Sequence, residues 1–186
     1  PEQVRTLLSA IDRTTRLGNR NYLVILMLYD GGFRITELLN VRLQDIDMNL
    51  GIVTVVGKGE KHRRIPLSRR TLRELSRYLN RKMAGDHRGR NAYLFAIDDR
   101  KKISTNGVQQ MLRRLKMQAG FGDMGVSPHT FRHSYATQFI TNGGNVYALK
   151  ELMGHASLQT TLKYVHLGVE HIREQQNKYA PVNNLF

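Results

Sequence analysis

Between Ser127 and Leu167 the 186-residue chain carries His129, Arg132, His133, His155 and Tyr164, side chains that can grip an anion, move a proton or attack as a nucleophile. His129 and Arg132 stand three apart, just after Ser127-Pro128, a pair that suits a helix N-cap followed by a first-turn proline. Both then fall on one face of the first turn, where free N–H groups and the helix dipole favour an anion. The plainer reading is a capping histidine beside a surface arginine. His129 and His133, four apart, could instead hold zinc. That needs a third ligand, normally with a glutamate after the first histidine, where this chain has Thr130. Asp45 and Asp47 are candidates for Mg²⁺, against the plainer role of turn and strand-edge acids. Neither set makes a good ion site, so no metal and no cofactor is expected.

Earlier in the chain, Arg34 follows Gly31-Gly32-Phe33, so a sharp backbone turn precedes it, and Glu37 three residues on is placed to hold it. Lys58 lies between two glycines, which suits a mobile cation at a turn. Lys61, Arg63 and Arg64 make the same hairpin basic and suited to phosphate contact. Gln109, Arg113 and Arg114 line the outer face of a helix and are candidate groove contacts. His155 comes directly after Gly154. Tyr164, between Leu162 and Val165, fits a core position as well as a catalytic one.

The 29 Lys and Arg against 15 Asp and Glu give a formal charge of +14, with a pI near 10.4. A field of that size favours polyanions: DNA, RNA or an anionic membrane surface. With no cysteine, neither disulfides nor thiolate metal sites can form. The longest apolar run, Tyr22 to Tyr29, is far short of the ~20 residues a membrane span needs. No signal peptide is visible, and the sequence starts at Pro1. These features predict a soluble intracellular protein, cytoplasmic and nucleoid-associated, without its natural N-terminal part.

Positioning these groups takes mostly helices. Val4, Leu7, Leu8 and Ile11 follow helical spacing, and Asn21 to Asp30 is apolar nearly all round, as in a central buried helix. The period changes at Ile46, Ile52–Val56 and Arg64–Leu67. These short β-type runs predict a three-stranded antiparallel sheet with Lys58 at the tip of its second hairpin. Helical spacing returns at Leu72, Leu75 and Leu79, again at Val108, Met111, Leu112 and Leu115, and from Ser127 to about Asn142. Val146, Leu149 and Met153 carry another helix, stopped by Gly154. Ser157 is expected to cap a short helix holding Tyr164, and the tail to be helical from Val169 to about Lys178. A polar loop is expected from Gly85 to Arg90. The fold class is α+β, mainly α-helical, in one domain spanning 1–186 with one small three-stranded antiparallel sheet.

Taken in order, five segments closely resemble the boxes of the tyrosine site-specific recombinases, the phage integrase family. They are Gly32-Phe33-Arg34-Ile35-Thr36-Glu37-Leu38, Gly57-Lys58-Gly59-Glu60-Lys61, His129-Thr130-Phe131-Arg132-His133, Leu152-Met153-Gly154-His155 and Thr160-Thr161-Leu162-Lys163-Tyr164. The resemblance runs from Pro1 to about Tyr164, and the intervals between boxes match as well. Phe33 stands where leucine is more usual, a departure that touches no catalytic position.

This resemblance implies the tyrosine recombinase catalytic-domain fold and six catalytic residues: Arg34, Lys58, His129, Arg132, His155 and Tyr164. Tyr164 would attack a DNA phosphodiester and form a 3′-phosphotyrosyl link. Arg34 and Arg132 would clamp the phosphate, Lys58 would act as general acid, His129 would assist proton transfer and His155 would hydrogen-bond the phosphate. Glu37 would be a supporting residue. The implied partners are a double-stranded DNA recombination site, three further protomers on synapsed DNA, and accessory directionality or host proteins; no membrane is involved. Residues 168–186 would be the exchanged C-terminal segment, and an N-terminal DNA-binding domain would be absent from this chain. Integration, excision, Xer-like resolution and inversion all use such a domain. A type IB topoisomerase-like nicking-closing enzyme and a catalytically silent DNA-binding module stay open beside it.

Overall fold

The computed structural model describes residues 2–60, 62–83, 89–97, 101–122, 125–165 and 169–184. Pro1, Lys61, Asp98 and Asp99, most of the expected 85–90 loop, and the terminal Leu185 and Phe186 lie outside the described residues, as do the side chains of Lys58 and Ile172.

α1 (Glu2–Ser9) turns Leu7 to the core, with Val4 and Leu8 packed beside it. α2 (Arg16–Gly31) begins well before the apolar run at Tyr22, because Thr15 caps it: its hydroxyl accepts from the Gly18 N–H at 2.9 Å. Tyr22 to Leu28 are buried without a break, so α2 is the central helix that sequence patterning predicts. It packs against α4 (Arg69–Met83) and α6 (Pro128–Thr141). α3 (Ile35–Asn40) follows directly, and α5 (Thr105–Gln118) covers its flank.

The sheet order is β1 (Ile46–Asp47), β2 (Ile52–Val56), β3 (His62–Pro66), both pairings antiparallel. Val53 lies opposite Ile65 and Val55 opposite Arg63, and these positions share the inner face because side chains alternate along a strand. Residues 58–60 close the hairpin tip with left-handed backbone at Gly59, φ 73°, and Glu60, φ 58°, so the backbone of Lys58 is where the glycine pattern puts it.

α7 (Val146–Met153) is capped by Asn145, whose side-chain oxygen accepts from the Tyr147 N–H at 2.8 Å. It ends at Gly154 in the left-handed region, φ 62°. α8 (Gln159–Leu162) is shorter than the sequence suggests and does not hold Tyr164, which sits in the following turn. The Ser157 hydroxyl accepts from the Gln159 N–H at 3.2 Å, yet the residue at the helix boundary is Leu158. α9 (Val169–Tyr179) and a 3₁₀ turn (Pro181–Asn184) complete the described chain.

Two apolar clusters result. The larger surrounds α2; the smaller comprises Ala136, Leu149, Met153 and Tyr164, with Tyr135, Phe139 and Ile140 against it. Gly32 joins the two. Its φ of 57° is left-handed, and a Cβ there would come within 2.4 Å of the Tyr135 ring and 3.1 Å of the Met153 sulfur. Gly32→Ala should therefore cost about 2–4 kcal/mol through backbone strain and overpacking, read as a lower thermal midpoint with native-like circular dichroism below it. A midpoint within a degree of the native one would show that this junction tolerates a side chain.

Candidate active site

The site is built where α2, α6 and α7 meet. An α-helix leaves its last carbonyls without intrahelical partners. At the end of α7 three consecutive carbonyls each receive a different arginine. Leu152 O accepts from Arg63 Nε at 3.1 Å, Met153 O from an Arg132 terminal nitrogen, and Gly154 O from Arg34 Nη2 at 3.3 Å. The other terminal nitrogen of Arg132 donates to Gly32 O, the C-cap of α2. A buried guanidinium, 8% exposed, is thus docked on two helix C-termini, whose dipoles favour a cation.

One carboxylate serves the same group. Glu37, 6% exposed, binds the Arg63 fork through both oxygens at 2.6 and 2.8 Å. Its Oε1 also accepts from Arg34 Nη1 at 2.8 Å, and its Oε2 from the Arg34 backbone N–H at 2.9 Å. The second bond closes a capping box at the start of α3. Burial by itself would raise the Glu37 carboxyl, but its hydrogen bonds to Arg63 and Arg34 outweigh that and hold it below the ordinary carboxylate range. The Arg34 side chain keeps 40% of its surface open, whereas Arg63 keeps 12%.

Arg132 is pushed down to about 10 by burial, then by the charges of Arg34 and Arg63, while Glu37 and Tyr164 act in the opposite sense. It remains a cation at neutral pH. His155 is pushed down to about 4, first by burial and then by Arg132, Arg34, Lys163 and Arg63. The imidazole is consequently neutral at pH 7. Its Nδ1 lies 2.9 Å from the hydroxyl of Thr161, which is fully buried. Thr161 also accepts the Tyr164 backbone N–H through its carbonyl, at 3.0 Å. The Tyr164 ring is 7% exposed, with the His133 ring 5.2 Å from it, centroid to centroid, and Lys163 Nζ at 5.2 Å from its centroid.

Of the residues singled out in sequence, Arg34, Glu37, Arg132, His155 and Tyr164 converge here. His129 is exposed in the first turn of α6, on the turn that carries Arg132. Arg64, Gln109, Arg113 and Arg114 are exposed. Arg63, expected among the outward phosphate contacts, is turned inward by strand alternation, and all three of its nitrogens are taken by Glu37 and Leu152. The metal candidates dissolve into local structure. Asp45 accepts from the Arg42 N–H at 2.8 Å, and Asp47 from the N–H groups of Asn49 and Leu50 at 2.9 Å each. Among the described residues no cluster of three potential ligands occurs. Two residues have roles the sequence does not announce: Thr161 as the partner of His155, and Arg63 as a half-buried hub. Strand alternation was the available clue for Arg63; Thr161 offered none.

Such an arrangement can bind a dianionic or monoanionic oxyanion group through guanidinium forks and a neutral imidazole, beside a phenol that can act as nucleophile. Comparison with known proteins gives the same direction. The model of the phage integrase family matches residues 1–171. Tyrosine recombinase XerA of Thermococcus kodakarensis is 36% identical over 188 residues, 99% of this chain and 63% of that protein. Tyrosine recombinase XerD of Listeria monocytogenes is 31% identical over 182 residues, covering 97% of this chain and 61% of that one. A crystal structure of XerA recombinase aligns with a TM-score of 0.75 at 30% identity, over 97% of this chain and 64% of that chain. The chain spans a little under two thirds of the length of these relatives.

His155 should titrate near 4 when followed by NMR, with no transition at the ordinary histidine value of 6.5. Its folded value lies below its unfolded one, so between about 6.5 and about 4 the unfolded chain binds more protons. Stability contributed by the neutral ring is therefore complete above 6.5 and lost as pH falls toward 4. If Thr161 donates to Nδ1, the proton sits on Nε2, and Thr161→Val should mix the two tautomers in the imidazole nitrogen shifts. Unchanged shifts in that variant would remove Thr161 from the role.

Proposed function

Since the chain belongs to the phage integrase family, we propose that it is a site-specific recombinase that cleaves and rejoins DNA strands through Tyr164. The observation that carries this reading is the charge balance around Arg132. Three guanidinium groups, Arg34, Arg63 and Arg132, share one carboxylate, Glu37, with a neutral His155 and the phenol of Tyr164 alongside. The surplus is matched by an incoming phosphodiester and by its more highly charged transition state.

In this mechanism the Tyr164 oxygen attacks the scissile phosphorus as its proton leaves to His129, directly or through water. Arg34 and Arg132 grip the non-bridging oxygens, and the Nε2–H of His155 donates to one of them. The bond from phosphorus to the 5′-oxygen breaks, and Lys58, carried by the turn at the hairpin tip, supplies the proton that oxygen needs. The products are a 3′-phosphotyrosyl protein and a free 5′-hydroxyl. Attack by a 5′-hydroxyl from another strand reverses each transfer, so the bond energy is kept and no ATP is consumed.

The partners follow from the same reading. Double-stranded DNA binds along the basic surface, with Lys61, Arg64, Gln109, Arg113 and Arg114 as backbone or groove contacts. Four protomers act on two synapsed sites, with accessory or host proteins setting direction, in the cytoplasm at the nucleoid. Residues 168–186 pass to a neighbouring protomer, in keeping with Tyr179 and Val182, exposed at 65% and 53%. A DNA-binding domain preceding the catalytic domain completes the grip on the duplex.

A nicked suicide site, whose cleaved end diffuses away, should trap a covalent protein–DNA adduct with the native chain and none with Tyr164→Phe. An undiminished adduct in that variant would sink the assignment. Lys58→Ala should slow cleavage of the natural site by about 10²–10⁴-fold, the usual worth of a general acid. With sulfur at the 5′ bridging position the leaving group needs no proton, and the variant should approach the native rate. Equal defects on both substrates would take Lys58 out of the acid role.

A further inference from the structure

Arg63 stands on the inner face of β3, opposite Val55 and two residues from the buried Ile65. A cation on the core face of a sheet is costly unless its charge and every donor are answered. Here the charge is met by Glu37 and each nitrogen has a partner: Nη1 and Nη2 donate to the two oxygens of Glu37, and Nε to Leu152 O. Arg63 is 12% exposed against 40% for Arg34, so it is much the less open of the two.

What Arg63 touches are the two segments that present the phosphate-binding groups. Through Glu37 it is one bond from both the side chain and the backbone N–H of Arg34. Through Leu152 O it fixes the end of α7, and its side chain underlies the next turn: a Cβ on Gly154 would lie 3.0 Å from Arg63 Nη1 and 3.1 Å from its Cδ. Arg63 thus ties the strand after the Lys58 hairpin to Arg34 on one side and to Gly154-His155 on the other. We propose that Arg63 is a positioning residue for the phosphate clamp, holding Glu37 in the orientation that aims Arg34 outward and seating the Gly154-His155 turn beside it. The inference rests on the reading of Arg34 as a phosphate clamp.

The physical reason is competition for one carboxylate. With both Glu37 oxygens filled by the Arg63 fork, Arg34 is held by Nη1 at the carboxylate edge and by Nη2 at Gly154 O, and its side chain stays 40% exposed. Without that fork, Glu37 offers Arg34 a complete bidentate face. A buried carboxylate left half satisfied draws in the nearest cation, so Arg34 swings inward and the clamp is emptied. Lysine in place of Arg63 keeps the charge but cannot fill both oxygens and Leu152 O at once.

The test compares the rate of covalent adduct formation on two suicide sites. One has the natural scissile phosphate. The other has a methylphosphonate, in which a methyl replaces a non-bridging oxygen and the negative charge is gone, so less charge needs neutralising. Arg63→Met is set beside Arg34→Ala and the native chain, with DNA affinity and thermal unfolding measured in parallel. We expect Arg63→Met to be about 10- to 100-fold slow on phosphate, the usual cost of misplacing a reacting group by about an ångström, with DNA affinity little changed. On the methylphosphonate the deficit should shrink to a few-fold, as for Arg34→Ala. Arg63→Lys, which carries the test if the methionine variant does not fold, should show the same substrate dependence with a smaller deficit. A deficit of Arg63→Met or Arg63→Lys equal on both substrates, while that of Arg34→Ala shrinks, would make Arg63 merely structural and overturn the proposal. So would native rates on phosphate. If the Arg34→Ala deficit itself persists on the methylphosphonate, the clamp role of Arg34 fails, and the proposal falls with it.

Discussion

Three successive carbonyls at the end of α7 hold three arginines, and the rest of the site depends on this. Leu152, Met153 and Gly154 would each leave a carbonyl unpaired at the helix terminus, and Arg63, Arg132 and Arg34 answer them one by one. A helix C-terminus is worth about 0.3–1 kcal/mol to a nearby cation, and about 2 in a partly buried geometry. The gain comes as dipole, not as opposite charge. This matters because an arginine paired with its own carboxylate is neutralised, and a neutral site has no reason to take up a phosphate. With one Glu37 for three guanidinium groups, the donors are largely satisfied and the positive field survives.

Burial first, and then the same field, keep His155 neutral. An imidazole half enclosed beside Arg132, Arg34, Lys163 and Arg63 cannot hold a proton until pH falls to about 4. A fourth cation would add attraction for the phosphate but would strain the cluster further. A neutral ring, engaged at Nδ1 by Thr161, can still donate from its other nitrogen. The arginines therefore supply charge, and the shift in His155 follows from its burial beside them.

Much of this was legible in the sequence. Periodicity placed the central helix, the three strands and the helix ending at Gly154, and the order of the five boxes gathered Arg34, Arg132, His155 and Tyr164. What escaped were facts of register and of long-range hydrogen bonding. Arg63 and Arg64 look equivalent in a basic hairpin, yet pairing with Val55 and Thr54 sends one to the core and the other to solvent. Thr161 in Thr160-Thr161-Leu162 looks like an ordinary helical threonine, because nothing local reveals that a ring six residues earlier returns to its hydroxyl. Tyr164 was expected within a helix, but α8 stops after Leu162 and leaves the tyrosine in a turn, where its backbone is tied only to Thr161 among the described contacts.

That last difference bears on how a nucleophile and a clamp can stay in register. The apolar face of α7 offers Leu149 and Met153 to the Tyr164 ring, and its C-terminus offers carbonyls to the arginines. One eight-residue helix therefore holds Tyr164 and the three arginines from its two sides. Isolated, so short a helix would not persist in water. Asn145 at its start, Gly154 at its end, the smaller apolar cluster and the arginines on its last carbonyls hold it instead. The arginines hold the C-terminal side of α7, while Tyr164, in a turn and not a helix, is kept in place by packing on Leu149 and Met153. If Tyr164 is the nucleophile proposed above, this one short helix sets its distance from the guanidinium groups.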